Sequence, residues 1–181
     1  MSHINSIGAG MFSDLSVSTD TVPATLDKTN LDALFAFADF GVTAFRIENV
    51  REFPAMGTPP NVVNVPVYGS ATSQQIQGQA DAPSMEISLN FVATDWASGS
   101  DLGDLVGDGL QHVFRFALLN AVPAGAEEYA STATGLGDVE NSYWYWVGKL
   151  EALQVTPQLT DSNTATITIT IQSAFYGAYT T

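Results

Sequence analysis

Residues 165 to 173 read ATITITIQS, with Ile167, Ile169 and Ile171 alternating with Thr166, Thr168 and Thr170. A period of two sustained over a whole segment is the signature of a β-strand. The preceding run, 143 to 156 (YWYWVGKLEALQVT), is joined to it by a polar turn, PQLTDSNT, so the last third of the chain reads as one long β-hairpin. One face of the second strand is all threonine. Such a face is neither core nor ordinary charged surface; β-branched polar side chains suit a sheet whose outer side is wet or meets another protein. The hairpin reads as part of something larger than one subunit.

The rest of the chain supplies further strands and little helix. SMEISLNFVAT places Met85, Ile87, Leu89, Phe91 and Ala93 on one face and Glu86, Ser88 and Asn90 on the other, a sheet with one wet side. Thr29 to Gly41 predicts a short helix, with Thr29 and Asp32 as a capping box, Leu31, Leu34, Phe35 and Ala38 at helical spacing, and Gly41 as the stop. Residues 42 to 50 and 62 to 68 read as strands, the second an edge strand because of Pro66. Leu102, Leu105 and Val106 predict a second short helix ending at Asp108-Gly109. QHVFRFALLN, from 111, reads as strand or continued helix, with its aromatics favouring strand. Residues 1 to 28 read as an arm holding at most one short strand. The stretches 51 to 61, 70 to 83 and 121 to 142 read as loops. The expected fold is mainly β, a sandwich or barrel of about seven strands with one or two short helices, in a single domain over residues 1 to 181.

Charge narrows the function classes. Five basic residues face nineteen acidic ones, a formal charge of -14, and a nucleic-acid grip needs clustered Lys and Arg. Only 13% of residues are charged, against about a quarter in typical soluble domains, which predicts that part of the surface is covered by copies of the chain. There is no cysteine, hence no disulfide framework or thiolate zinc site. The first twenty residues carry no secretory signal pattern, and no apolar run reaches the length of a membrane span.

Little points to catalysis. Asp101, Asp104 and Asp108 lack the alternating oxygen ligands of a helical calcium loop and read as helix-start and turn residues. The two histidines, His3 and His112, leave no material for a histidine triad, and His112 reads as structural. No glycine-rich phosphate loop is present. No cofactor, metal or catalytic residue is expected. Tyr143, Trp144, Tyr145 and Trp146 read either as a sugar-stacking platform or as core and subunit interface, the latter favoured because large aromatics dominate such contacts.

From Ser84 to Phe175 the order is an alternating strand, a short helix, a second strand, a loop and a closing hairpin, in which Gly148 to Val155 turn through Pro157 and Asp161-Ser162-Asn163 into TATITITI. That order resembles the major tail tube proteins of long-tailed bacteriophages over about half the chain. The resemblance implies a virion tail protein, assembled in the host cytoplasm. Its subunits would form rings of six in which inner-sheet strands close into a shared barrel, and the rings would stack through long loops, here 51 to 61 and 70 to 83, and terminal arms. Partners by resemblance are other copies of the chain, the tape-measure, tail terminator and tail-tip proteins, and DNA passing through the lumen without specific binding; membrane binding is not implied. Glu86, Ser88 and Asn90, then Glu48 and Glu151, are the candidates for lining that lumen, with plain solvation of the outer surface as the other reading. Trp144, Trp146, Thr166, Thr168 and Thr170 are the candidates for subunit contacts. Two alternatives stand beside it: a carbohydrate- or receptor-binding sandwich with an exposed Trp144 or Trp146, and a terminator or baseplate component forming one closed ring.

Overall fold

The computed structural model describes residues 13 to 57, 62 to 65, 74 to 77, 84 to 119, 129 to 130 and 141 to 180. Among these lie ten strands: β1 (Asp14–Ser18), β2 (Ala44–Arg46), β3 (Val50–Glu52), β4 (Val62–Val65), β5 (Gln74–Gln77), β6 (Ser84–Asn90), β7 (His112–Leu118), β8 (Ser142–Thr156), β9 (Thr164–Ile171) and β10 (Tyr176–Thr180). One helix, α1 (Lys28–Ala33), and a 3-10 turn at Phe37–Asp39 complete the regular structure. β4 and β5 pair only with each other. The other eight strands form an antiparallel sheet in the order β2-β1-β7-β8-β9-β6-β3, with β10 also on β8.

The fifteen-residue β8 is the backbone of the fold. Its first half, Ser142 to Gly148, lies between β7 and β10, and its second half, from Gly148 to Thr156, pairs with β9. A bulge between Leu150 and Ala152 marks the second half, and bulges bend a strand and sharpen its twist. The sheet therefore has two wings. Leu15, Val17, Phe114, Phe116 and Trp146 from the first wing pack in one apolar cluster with Met85, Ile87, Leu89, Ile167, Ile169 and Ile171 from the second. Burying this shared cluster stabilises the fold at about 25 cal/mol per Å² of apolar surface removed from water.

The outer side of the first wing is also buried. Leu31 and Phe35, one helical turn apart, cover Val113, Ala117, Tyr143, Tyr145 and Val147. The Tyr145 hydroxyl donates to Asp32 Oδ1 at 2.6 Å, which pins α1 to the sheet. Beside it Arg115, 0% exposed, donates to Asp14 Oδ2 at 3.3 Å and to Ser16 Oγ at 3.2 Å. A buried charge of this kind is tolerated only when paired and hydrogen-bonded. Arg46 adds Nε to Asp14 Oδ1 and Nη1 to Glu48 Oε1, each at 2.8 Å, and stacks over the Tyr129 ring at 3.6 Å. Burial, the largest influence, would lower the Arg46 pKa, but Asp14, Tyr129 and Glu48 together raise it and the net direction is upward.

Several sequence expectations change. The one short strand allowed within residues 1 to 28 is β1, but it is wholly buried between β2 and β7, with Asp14 accepting from Arg46, Arg115 and Ser16 and Ser16 accepting from Arg115. The helix is six residues long, capped by Asp27 accepting from Asn30 N rather than by Thr29, and Gly41 sits beyond it at φ +80°. The run 42 to 50 is broken into β2 and β3, with Asn49 at φ +61° between them. No helix forms at 102 to 106. That segment is a chain of turns in which Ser100 Oγ bonds Asp95 O and Ala97 O and Asp104 Oδ1 accepts from Gly99 N, side-chain bonds that compete with the helix ladder. β5 lies inside the expected loop 70 to 83, and β10 was not foreseen. Pro66 and most of 121 to 142 fall outside the described residues.

Candidate functional site: a hydroxyl-rich sheet face

The second wing has one dry face and one polar face. Along β6 Met85, Ile87 and Leu89 are buried while Ser84, Glu86 and Ser88 are exposed; along β9 every isoleucine is buried and every threonine half-buried. Register brings the polar positions into rows. Ser84 stands opposite Thr170, Glu86 opposite Thr168, Ser88 opposite Thr166 and Asn90 opposite Thr164. On the other side of β9, Lys149 faces Thr170, Ala152 faces Thr168, Gln154 faces Thr166 and Thr156 faces Thr164. Directly opposed side chains on a sheet lie within about 5.5 Å at Cβ, so the rows form one continuous surface.

The bulge adds a charge to it. Glu151 is the extra residue between Leu150 and Ala152, and its Oε1 accepts from Thr170 Oγ1 at 2.8 Å. β3 completes the wing, with exposed Glu52 opposite Ser88. The surface thus offers Glu52, Glu86 and Glu151 against Lys149, with Arg51 also exposed on β3 beside Glu52, set among hydroxyls and amides. It has neither a cationic cluster nor a deep concavity, the two things that hold a polyanion or a small substrate.

The predicted site residues sort differently from expectation. Glu86, Ser88, Asn90 and Glu151 share this face with Thr166, Thr168 and Thr170, so the lumen candidates and the threonine interface candidates are one surface. Glu48 belongs elsewhere, in the ion pair with Arg46 at the β2 edge. Trp146 is 0% exposed and stacks on Phe114 at 5.7 Å between ring centroids, so it is occupied by the subunit's own core rather than offered to a neighbour. Trp144 is half-buried against Phe116, at 5.9 Å, on the same side. The aromatic run is therefore no exposed sugar platform. Its alternation puts the indoles into the inner cluster and the phenols of Tyr143 and Tyr145 under α1.

The remaining candidates have structural partners. Asp108 accepts from Leu110 N and lies 2.8 Å from His112 Nε2, closing the turn that starts β7. A cleft of about 660 Å³ lies over β2, lined by Phe40, Phe45, Arg46, Asp95, Leu102 and Tyr129 among others. Its cation is already engaged by Asp14 and Glu48. Among the described residues no helix is long and apolar enough to cross a membrane.

Two open edges flank the polar wing. Beyond Gly148 no described strand occupies the side of β8 that β7 held; among the described residues the backbone bond there is Gly107 N to Leu150 O, at 2.8 Å. At the other side, β3 is a three-residue strand with no described outer neighbour. Unpaired edges are templates for another strand, and natural proteins cover or close them.

No family model matches the chain, and no curated protein does. Solved structures do share its fold. A chain of an extracellular contractile injection system, the PVC sheath–tube complex in its extended state, superposes with a TM-score of 0.53 at 10% identity, over 92% of this chain and 88% of the other. The SPP1 tail tube gives 0.51 at 10% identity, over 94% and 80%. A chain of the anti-feeding prophage baseplate, six-fold symmetrised, gives 0.50 at 7% identity, over 92% and 93%. The chain has the mainly β fold found in tail tubes and related injection machines.

Proposed function

We propose that the chain is a structural subunit of a tail tube: six copies close into a ring, rings stack, and the hydroxyl-rich face lines the channel. The observation that carries this reading is the combination of one wet, weakly charged face with two open edges on the same four-stranded wing. The fold shared with the SPP1 tail tube and with a six-fold symmetrised baseplate supports it.

Strand parity supports ring closure. The wing runs β8, β9, β6, β3, each antiparallel to the next. Rotation about a ring axis keeps strand direction, so an even number of alternating strands brings β3 of one copy against β8 of the next in antiparallel sense. Every seam then continues the ladder, and six copies give a barrel of about 24 strands with no edge left. The contact is heterologous, as a closed ring requires.

The face suits transit of DNA. Carboxylates repel phosphates over about a Debye length of 8 to 10 Å, while hydroxyls keep the wall hydrated without gripping. The lining is more neutral than the chain's overall charge implies, because Lys149 and the exposed Arg51 of β3 stand against the three glutamates. In this reading the protein has no catalytic role and resides in the virion tail after assembly in the host cytoplasm, meeting tape-measure, terminator and tail-tip proteins. Electron microscopy of the purified, concentrated chain tests it. Hollow tubes with a regular ring repeat are expected; isolated rings would assign a terminator or baseplate role, and a persistent monomer would refute assembly.

A further inference from the structure

Leu159, at the tip of the β8–β9 hairpin, is 100% exposed. The turn that carries it is firmly built. Gln158 N donates to Asn163 Oδ1 at 3.0 Å, Ser162 N to Asp161 Oδ1 at 2.7 Å, Ser162 Oγ to Asn90 Oδ1 at 3.2 Å and Phe91 N to Asn163 O at 2.8 Å. The last two bonds tie the turn to the end of β6. An apolar side chain held out on an ordered turn loses little entropy on docking, which distinguishes it from a leucine on a floppy loop.

The opposite end of the same wing carries complementary features. The β8–β9 pairing ends there at Gly148 and Ile171, with Lys149 one residue in. Leu110, 62% exposed, precedes by two residues His112, which pairs with Gly148. One end of the wing therefore presents Leu159 with exposed Asp161; the other, where β8 runs on into the first wing, carries Lys149 and is flanked by Leu110 on the turn before β7. Strands in a closed barrel run between its two rims at a tilt of about 35–45°, so these ends lie on opposite rims. Head-to-tail stacking sets one rim on the other.

We infer that the Leu159 turn is an axial docking knob, seated on the Leu110–Lys149 end of a second copy of this chain in the next ring. The inference rests on the tube reading and adds a contact distinct from the loops at 51 to 61 and 70 to 83. It matches leucine with leucine and Asp161 with Lys149, and it is heterologous, so it repeats without limit along the tube.

The test compares the full chain with Leu159→Gln and Leu110→Gln, neutral changes at exposed positions that leave net charge untouched, and with Leu159→Met. Circular dichroism melts confirm that each subunit folds. Tubes from the wild type and from Leu159→Met are expected, with both glutamine variants stopping at rings or needing at least about tenfold more protein to polymerise. Glutamine variants that form tubes at the wild-type threshold overturn the inference while leaving the tube reading intact. Glutamine variants that stay monomeric also overturn it, because they place these leucines in the ring seam. A wild type that forms no tubes removes the tube reading and the inference together.

Discussion

Glu86 on β6 stands directly opposite Thr168 on β9, and that register joins the acidic and the threonine positions into one surface. If this surface lines a channel, reversing its charge makes the channel adhesive. Glu86→Lys changes each ring of six by about twelve charge units toward positive, enough to favour phosphate contacts. Tubes of the variant are expected to form normally and to bind DNA in a filter or sedimentation assay, with binding lost as salt rises. Variant tubes that ignore DNA at low salt would place Glu86 away from the lumen.

The open edge of β8 makes its own prediction. Amides between Glu151 and Thr156 that do not bond to β9 exchange rapidly in the monomer, since no described strand covers them. On assembly they join the ladder of the neighbouring copy and slow by orders of magnitude. Hydrogen exchange followed by mass spectrometry, monomer against tube, reads this directly. Unchanged exchange at 151 to 156 would exclude β8 from the seam.

Gly148 sits where β8 leaves β7 and enters the second wing. A Cβ there would lie 2.6 Å from Thr170 O and 3.1 Å from Ile169 Cγ2. Because one of those neighbours is backbone, β9 has to move. Gly148→Ala is expected to destabilise the monomer by about 1–3 kcal/mol, with a fall in Tm of roughly 2–10 °C. A melt within a degree or so of wild type would show that the wing can shift freely.

The two faces of the wing predict opposite sensitivities. Trp146→Ala empties a fully buried site stacked on Phe114 and is expected to cost about 3–5 kcal/mol in denaturant unfolding. Thr168→Val, on the polar face, keeps the β-branch and stays within about 0.5 kcal/mol of wild type. Equal losses would mean that the threonine face is packed in the isolated subunit.

Alkaline pH acts on the layer under α1. Burial pushes the Tyr143 phenol up from its ordinary value of 10.0, against the opposing bond from Asn141 Nδ2 at 3.4 Å. The neutral form is the one the fold favours, so the contribution to stability is complete below pH 10 and is lost as pH rises through the elevated folded value. Tyr143→Phe is expected to flatten the decline of Tm above about pH 10. An unchanged alkaline slope would assign the loss to other groups.

The hairpin, the alternation of β6 and the polar turn were legible because each is written in consecutive residues: a side-chain period of two is a local property, and Ile167, Ile169 and Ile171 have no other way to share a face. The threonine row was likewise legible as a polar face opposite the buried isoleucines. A short strand was allowed within residues 1 to 28, but its burial was not legible, because Asp14, Ser16 and Ser18 look solvent-facing until Arg115, about a hundred positions away, bonds Asp14 and Ser16. The helix expected at 102 to 106 failed because Ser100 and Asp104 bond the turn backbone instead. Only the tertiary structure decided which side of each strand is dry. It sent Trp146 inward, set Glu86 beside Thr168, moved Glu48 to an ion pair and, among the described strands, left the outer edges of β8 and β3 without a neighbour. Local sequence sets the period of a strand, whereas its neighbours and the faces they cover depend on contacts between residues far apart in the chain.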